Sequence, residues 1–593
     1  MTTTDPSPAA PRERVVRVLP DEPAIAKSFD YLVPATGGDQ VRVGDRVRVA
    51  LHGRRVGGWV TAVDVEPPAG VTLRPVAKRS GRGPTPDLLE LAGWAAWRWA
   101  GRPASFLRTA NPERVVPSLP AAPRRPGAAA DGVAAATVPG GIAEQALAAR
   151  AAVVRVAPAT DPYPVVAAAV RRGNALVLCP TADRVAGVVR RLRRDGVPVA
   201  SHPRDWALGA AGATVVGTRA AAWAPVGDLA AVVVIDEHDE SHQQEQAPTW
   251  HARDVAIERA RRAGVPCVLT SPCPSLEALG WGELLARSRS DERAGWPIVD
   301  VVDMREQDPR LGMLPPPLVR ALRSDARVVC VLNRTGRARL LSCAGCGELA
   351  RCERCEAAVS QPASADTLRC PRCGEERPIV CLHCGKTRMK ARRQGVTRVR
   401  DEIEALVGEP VAELTAAGRK ADAPAPGSRV VVGTEATLHQ VGRADVVAFL
   451  DLDQELLAPR YRASEQALAL LARASRLVGG RARGGRLLLQ TFVPHHEAVQ
   501  AAVLGDPTRV ADAEAERREL LLYPPVTAMA EVSGPAAGEF VGALGVPPGV
   551  DVLGPSDGRW LLRAPDHATL CDALAATPRP AGRLRVAVDP LRI

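Results

Sequence analysis

Eight cysteines between residues 343 and 384 constrain this chain more than any other feature. They form four C-x-x-C pairs: Cys343/Cys346, Cys352/Cys355, Cys370/Cys373 and Cys381/Cys384. A C-x-x-C turn offers two thiolates to one ion, and zinc takes four such soft ligands in a tetrahedron. Four turns therefore supply two closed all-cysteine sites for two Zn2+, structural rather than catalytic. Spacing alone does not fix which pairs share an ion. Gly345, Gly347, Gly374 and Gly385 leave the backbone room around the sulfurs. The competing use of so many thiols, a disulfide cluster, needs an oxidising compartment. Met1 to Arg14 is polar with no apolar signal core, and no run of about 18 apolar residues occurs. The expectation is a cytoplasmic protein with reduced thiols and no membrane partner.

At 593 residues the chain holds several domains. Its formal net charge is +11, from 77 Lys+Arg against 66 Asp+Glu, which fits a nucleic-acid partner without demonstrating one. Alternating strands over Val15–Val18, Val41–Val43, Arg46–Val49 and Val56–Val65 predict a small β-domain. A capped helix is expected over residues 86–100. Residues 117–141 are almost all Ala, Pro, Gly and Arg, the composition of a linker. Beyond it, short apolar runs alternate with helical segments, which predicts parallel sheets. One series is Val153–Val156, Ala175–Leu178, Thr214–Val216, Ala231–Ile235 and Cys267–Leu269. A second is Val328–Leu332, Val430–Val432, Val446–Leu450 and Leu487–Leu489, interrupted by the cysteine segment. A helix from Val510 to Leu522 leads through Tyr523-Pro524-Pro525 into a terminal α+β segment.

The two lobes carry Val216-Gly217-Thr218-Arg219, Ile235-Asp236-Glu237-His238, Gly433-Thr434 and Gly480-Arg481-Ala482. That set resembles a superfamily 2 helicase core. A strand ending in Asp236-Glu237 is where such motors hold Mg2+ and place water for ATP hydrolysis. With the cysteine segment inserted in the second lobe, the chain resembles the PriA family of primosomal replication-restart proteins. Further pieces occur in the family's order: Phe29-Asp30-Tyr31-Leu32, Gly44-Asp45-Arg46-Val47-Arg48-Val49, Trp250-His251-Ala252-Arg253-Asp254, Pro274-Ser275-Leu276-Glu277, Leu332-Asn333-Arg334, Leu450-Asp451-Leu452-Asp453, Leu522-Tyr523-Pro524-Pro525 and Val588-Asp589-Pro590.

The resemblance implies a multidomain α/β protein. An N-terminal 3′-end DNA-binding domain spans 1–112 and a linker 113–145 stands where a winged helix is expected. A degenerate RecA-like helicase lobe spans 146–305. A second lobe spans 306–502 with a two-zinc insertion at 340–388, and an α+β C-terminal domain spans 503–593. It also implies that the outer turns (Cys343, Cys346, Cys381, Cys384) share one Zn2+ and the inner turns (Cys352, Cys355, Cys370, Cys373) the other. Implied partners are forked or single-stranded DNA with a 3′ end, primosome and helicase-loading components, and single-stranded-DNA-binding protein. Phe29, Asp30 and Tyr31 match the family's pocket for a nascent 3′ end. A carboxylate can accept a bond from a terminal 3′-hydroxyl and repels a phosphodiester, while aromatic neighbours stack the last base. Arg46, Arg48, Arg54 and Arg55 could hold phosphates. Read without the family, Phe29 and Tyr31 are strand-face core residues and Asp30 a turn residue. Trp250 stacks a base or simply packs.

The departures decide the mechanism. A P-loop wraps phosphates in successive backbone N–H groups and adds a Lys for the phosphate oxygens and a hydroxyl for Mg2+. After the strand Val153–Val156 comes Ala157-Pro158-Ala159-Thr160-Asp161-Pro162-Tyr163-Pro164. It has no Gly and no Lys, and each proline removes an N–H. Gly385-Lys386-Thr387 imitates a P-loop ending inside a zinc turn, with Val380 where the first Gly would stand. The Ser-Ala-Thr motif reads Ser271-Pro272-Cys273. Arg481 survives in register, but the leading Gln is gone and the second Arg is displaced. Asp236, Glu237 and Arg481 then read as relics of an ATP/Mg2+ site, and the chain as a DNA-binding assembly factor without a motor. The alternatives are an active 3′→5′ DNA helicase with an atypical nucleotide site, and a zinc module for protein contacts alone.

Overall fold

The computed structural model describes residues 14–592 except 23–24, 26, 35–40, 68–69, 125–140, 309–311, 333–339, 362–366, 392–395, 416–417 and 420–427. The chain falls into two compact units. The first contains Met1–Ala152, Tyr163–Leu269 and Thr527–Pro590; the second contains Val153–Pro162, Thr270–Val526 and Leu591–Ile593.

The first unit begins with an antiparallel sheet of β1 (Arg14–Pro20), β2 (Phe29–Val33), β3 (Arg46–Leu51), β4 (Arg54–Val63) and β5 (Lys78–Gly81), in the order β2-β1-β4-β3-β5. Period-2 alternation sends Val16, Val18, Tyr31, Val47, Val49 and Val60 to one face, where they form the domain's core. The link from β3 to β4 is the two-residue turn His52-Gly53, with φ of 46° and 77°. Turns of this left-handed kind match the twist of a hairpin. The strand expected at Val41–Val43 does not form. Asp45, 1% exposed, accepts the Arg42 N–H at 3.1 Å and is held by Arg79 and Arg82 at 2.7 and 3.2 Å. That side-chain bond ties the segment into a turn before a ladder can form. The expected helix is α1 (Pro86–Arg98), and α2 (Pro103–Ala110) follows it. Thr85 makes no side-chain cap bond; Pro86 at the first helical position starts α1.

Residues 113–124 of the expected linker form no helix or strand, and a helix begins at Ile142. Residues 125–140 of that linker, and Asn333-Arg334, lie outside the described residues. The strand β6 (Ala151–Arg155) precedes a parallel array of β7 (Asn174–Leu178), β8 (Val199–Ser201), β9 (Thr214–Gly217) and β10 (Leu229–Ile235), neighbouring as β8-β9-β7-β10. These strands are mostly apolar and buried, as suits strands covered on both faces, with Asn174 and Thr214 as buried polar exceptions. Helix α3 (Ala252–Ala263) ends in a left-handed cap at Gly264. The C-terminal segment is a β-α-β-β-α-β unit. Its sheet order is 551–556, 559–564, 528–533, 585–588, the ferredoxin-like arrangement.

The second unit is a seven-stranded sheet. Its strands lie in the order 298–303, 486–491, 446–449, 328–331, 430–433, 412–415, 418–419, parallel except for the last pair. The cysteine segment is inserted between strand 328–331 and a helix at Val396–Val407. The architecture is the multidomain α/β one expected.

Candidate metal centres and nucleic-acid interface

The four C-x-x-C turns share one backbone geometry. In each, the residue after the second cysteine donates its N–H to the first cysteine's carbonyl. The pairs are Gly347 to Cys343 and Glu356 to Cys352 at 3.0 Å, and Gly374 to Cys370 and Gly385 to Cys381 at 2.9 Å. That residue is left-handed every time, with φ of 81°, 58°, 78° and 73°. The closed loop aims both sulfurs the same way. The sulfurs gather as Cys343, Cys346, Cys381, Cys384 and as Cys352, Cys355, Cys370, Cys373, each set within 4.8 Å. Neighbouring sulfurs lie 3.5 to 3.6 Å apart. A tetrahedral ion with Zn–S bonds of about 2.3 Å sets that edge near 3.8 Å, so the donors fit such an ion. N–H groups of Cys346 and Gly345 lower the Cys343 thiol toward the thiolate a metal needs, while burial and the neighbouring sulfurs raise that of Cys346.

Glu356 is the one left-handed knuckle residue that is not glycine, and a side chain there costs about 1 kcal/mol. Replacing it, Glu356→Gly, is expected to stabilise the metal-loaded segment by up to about 1 kcal/mol, read as a higher unfolding midpoint. A fall in the midpoint would mean that the Glu356 side chain contributes more than its backbone costs.

The two clusters differ in setting. Cys346 and Cys384 of the outer cluster are exposed. The inner cluster has a small core of its own, including Ala350, Ala357, Val359 and Leu368. It is also stitched to the rest of the second unit. Arg372, inside the third turn, donates to the carbonyls of Cys355 and Ala458 at 3.2 and 3.0 Å. The Ala358 N–H reaches the Leu457 carbonyl at 2.8 Å, and the Tyr523 hydroxyl donates to the Arg372 carbonyl at 2.7 Å.

In the N-terminal sheet, strand alternation divides the Phe-Asp-Tyr triplet. Tyr31 is 4% exposed in the core and its hydroxyl donates to the Ala50 carbonyl at 3.2 Å. Phe29 packs on the same core, with the Lys27 ammonium 5.3 Å from its ring centre. Asp30 points to the opposite face, where Arg17, directly across on β1, binds its carboxylate at 2.8 and 3.2 Å. Arg46 donates to Asp21 at 3.2 Å and lies over the Trp59 ring. Arg48, Arg54 and Arg55 are exposed and make no ion pair among the described residues, the last two beside the His52-Gly53 turn. Trp250 is 5% exposed and packs edge-on against the buried Trp223 at 5.8 Å, so its ring is used in packing.

Asp236 and Glu237 directly follow β10 in the first unit, 2% and 0% exposed. Glu237 accepts from Arg253 at 3.3 Å, and Arg253 donates to Asp254 at 2.9 Å. The chain of charges continues. Arg98 lies 3.9 Å from Asp254 and 2.6 Å from Asp589, and His567 is 3.0 Å from Asp589. The hairpin Gln243–His251 adds bonds to the last strand: Gln243 to the Asp589 carbonyl at 3.4 Å and Thr249 to that of Val588 at 3.5 Å. Sequence reasoning found the Trp-His-Ala-Arg-Asp and Val-Asp-Pro pieces but gave no sign that they meet.

In the second unit, the segment after β6 has its N–H groups turned inward. Val156 donates to Ser271 at 2.9 Å, Ala159 to Gly295 at 3.0 Å and Thr160 to Ala157 at 2.8 Å. Arg155 and Glu292 form a paired ion bridge at 2.5 and 3.0 Å beside it. Gly480 fits because a Cβ there would lie 2.4 Å from the Ala294 carbonyl oxygen. Arg481 donates to the carbonyls of Arg293 and Val503 at 3.3 and 3.5 Å.

Residues 17–112 match the family described as 3'DNA-binding domain (3'BD). The probable replication restart protein PriA of Mycobacterium tuberculosis is 30% identical over 576 residues, covering 87% of this chain and 85% of that one. The chain belongs to the PriA replication-restart family. Its Mycobacterium leprae relative is 30% identical over 599 residues, 90% of each chain. The Bacillus subtilis replication restart protein PriA matches at 28% over 351 residues, which is 54% of this chain and 43% of that protein. The family's 3′-end domain thus coincides with the sheet that carries Asp30. No helix among the described residues is long and apolar enough to cross a membrane.

Proposed function

We propose that this chain is a cytoplasmic primosome-assembly factor that recognises abandoned forks, holds fork DNA and nascent 3′ ends, and promotes reloading of the replicative helicase without unwinding DNA itself. The N-terminal sheet supplies the DNA contacts: Asp30 at the 3′ end, with Arg48 and Arg54 on phosphates. The two four-cysteine sites hold Zn2+ and stabilise the surface offered to helicase-loading components and single-stranded-DNA-binding protein.

The observation that carries the absence of a motor is the backbone after β6. A P-loop needs free N–H groups converging on phosphate. Here prolines 158, 162 and 164 have none, and those of Ala159 and Thr160 already serve carbonyls. Arg481, the surviving motor arginine, donates to two carbonyls. Glu237 is tied to Arg253. ATP and Mg2+ therefore have no part in the proposed role.

Purified protein with fork DNA and ATP is expected to release no phosphate above the DNA-only background, and Asp236→Ala is expected to change nothing. Turnover that Asp236→Ala abolishes would establish the helicase reading instead. Binding to a fork with a nascent leading strand at the junction should exceed binding to one lacking that strand. Equal binding would leave the zinc segment as a protein-contact module.

A further inference from the structure

We infer that the outer cysteine cluster is a reversible oxidation site for hydrogen peroxide, which replaces its metal by disulfides across the same two turns and leaves the inner cluster untouched. This rests on the reading that both clusters hold Zn2+, and it assigns the two a different chemistry. Of the chain's thirteen cysteines only Cys346 and Cys384 are exposed, and both belong to the outer set. Cys373 of the inner set is half-buried and the other ten are buried. Burial pushes the thiols of Cys179 and Cys330 up to about 12, so they stay protonated and are poor nucleophiles. Cys352, Cys355 and Cys370 sit in the inner cluster's own core with Ala357, Val359 and Leu368. An oxidant arriving from solvent therefore meets sulfur at the outer cluster first.

Each exposed sulfur has a buried partner in place on the opposite turn. Cys384 lies 3.5 Å from Cys343, and Cys346 lies 3.6 Å from Cys381. A disulfide bond is about 2.05 Å long, so a pair has to close by about 1.5 Å. The turns are set side by side by a strand pair, with Cys343 opposite Met389, and by the Ala344 N–H on the Arg388 carbonyl at 2.8 Å. The thiolate of Cys384 or Cys346 attacks one peroxide oxygen; the O–O bond breaks, hydroxide leaves and a sulfenic acid forms. The thiolate across the gap then attacks that sulfur, the S–S bond forms and a second hydroxide leaves. Two protons from solvent turn both hydroxides into water. Each disulfide thus passes two electrons from sulfur to one peroxide and takes two ligands from the ion. The first disulfide forms while the other two sulfurs still share the ion, so the turns never separate. A small-molecule thiol returns the electrons by thiol–disulfide exchange and restores the four ligands.

The test treats the full-length, zinc-loaded protein with hydrogen peroxide in thiol-free buffer. Released metal is read with a chromogenic indicator and disulfides by mass spectrometry. One metal equivalent should leave at least about tenfold faster than the other, because oxidation follows exposure of the sulfur. Disulfides joining Cys343 to Cys384 and Cys346 to Cys381 should appear with it. Dithiothreitol and Zn2+ should then restore two equivalents. Cys384→Ser should lose the fast release and keep the slow one. Release of both equivalents at one rate, oxidation of Cys355 or Cys370 before the outer sulfurs, or failure of thiol and Zn2+ to restore the site overturns the inference. So does fast release that survives Cys384→Ser. The disulfide map of the natural sequence needs no variant and decides even if Cys384→Ser fails to fold. Metal analysis before the oxidant is added reads the underlying assignment separately. Fewer than two zinc equivalents would refute the zinc reading, whereas two equivalents lost without preference refute the oxidation site alone.

Discussion

A strong chelator added to the zinc-loaded protein is expected to remove the two metal equivalents in two steps, from the outer cluster first. Ligand exchange starts at an accessible sulfur. Cys346 and Cys384 of the outer cluster are exposed, whereas Cys352, Cys355 and Cys370 of the inner one are buried. The inner cluster also cannot open alone. Releasing it strands the Arg372 side chain, which spans the Cys355 and Ala458 carbonyls, and breaks the Tyr523 and Ala358 bonds to the neighbouring fold. Structural zinc contributes about 10–16 kcal/mol of folding free energy to small metal-folded domains. That exceeds anything a segment of this size gains from its own apolar core. The first step should therefore disorder the outer turns, near residues 343–347 and 381–387, and leave the second unit folded. The second step should unfold the rest of the insertion and lower the melting temperature of the second unit. Metal release, cysteine alkylation mapped by mass spectrometry, and circular dichroism follow the steps together. Cys384→Ser should bind one equivalent and keep its fold; Cys370→Ser should lose thermal stability as well. Simultaneous release of both equivalents, or alkylation of the inner cysteines first, contradicts this ordering.

The sequence is readable where chemistry demands a residue type at a fixed spacing. C-x-x-C turns are such a case, and so are the apolar runs of the parallel sheets, where burial on both faces selects mostly apolar residues. Which turns share an ion was implied by the resemblance and not by the spacing, because all four knuckles have the same local geometry. Single local bonds defeated pattern reading: Asp45 folds the alternating Val41–Val43 into a turn. The candidate site was legible as a triplet, Phe29-Asp30-Tyr31, but not as a geometry. Strand alternation sends Asp30 away from its two neighbours, and its partner Arg17 stands 13 residues earlier. Nothing local can announce a contact such as that between Arg98 and Asp589, which are 491 residues apart.

That last contact carries the second large effect. Arg98→Ala is expected to destabilise the first unit by about 3–5 kcal/mol, the cost of breaking a buried ion pair and leaving its partner uncompensated. Arg98 is 9% exposed at the side chain and faces two carboxylates, Asp589 at 2.6 Å and Asp254 at 3.9 Å. Removing it leaves Asp589 with His567 alone. Burial by itself would raise the Asp589 carboxyl, but Arg98 and His567 outweigh it and hold the group well below the usual carboxylate range. A folded-state value below the unfolded one means stability that is fully present above about pH 4 and lost as pH falls below it. The natural sequence should therefore lose its advantage over Asp589→Asn progressively in acid, while near pH 7 the advantage is constant. Because Arg98 lies on α1 and Asp589 directly follows the last strand, the loss should appear first as exposure of the C-terminal segment to protease. Denaturation midpoints at pH 7 and pH 3, with a double-mutant cycle between the two positions, measure it. A coupling below about 0.5 kcal/mol would reduce the pair to the weight of a surface salt bridge. The buried line from Glu237 through Arg253 and Asp254 to Arg98 would then not be what ties the last strand to the rest of the first unit.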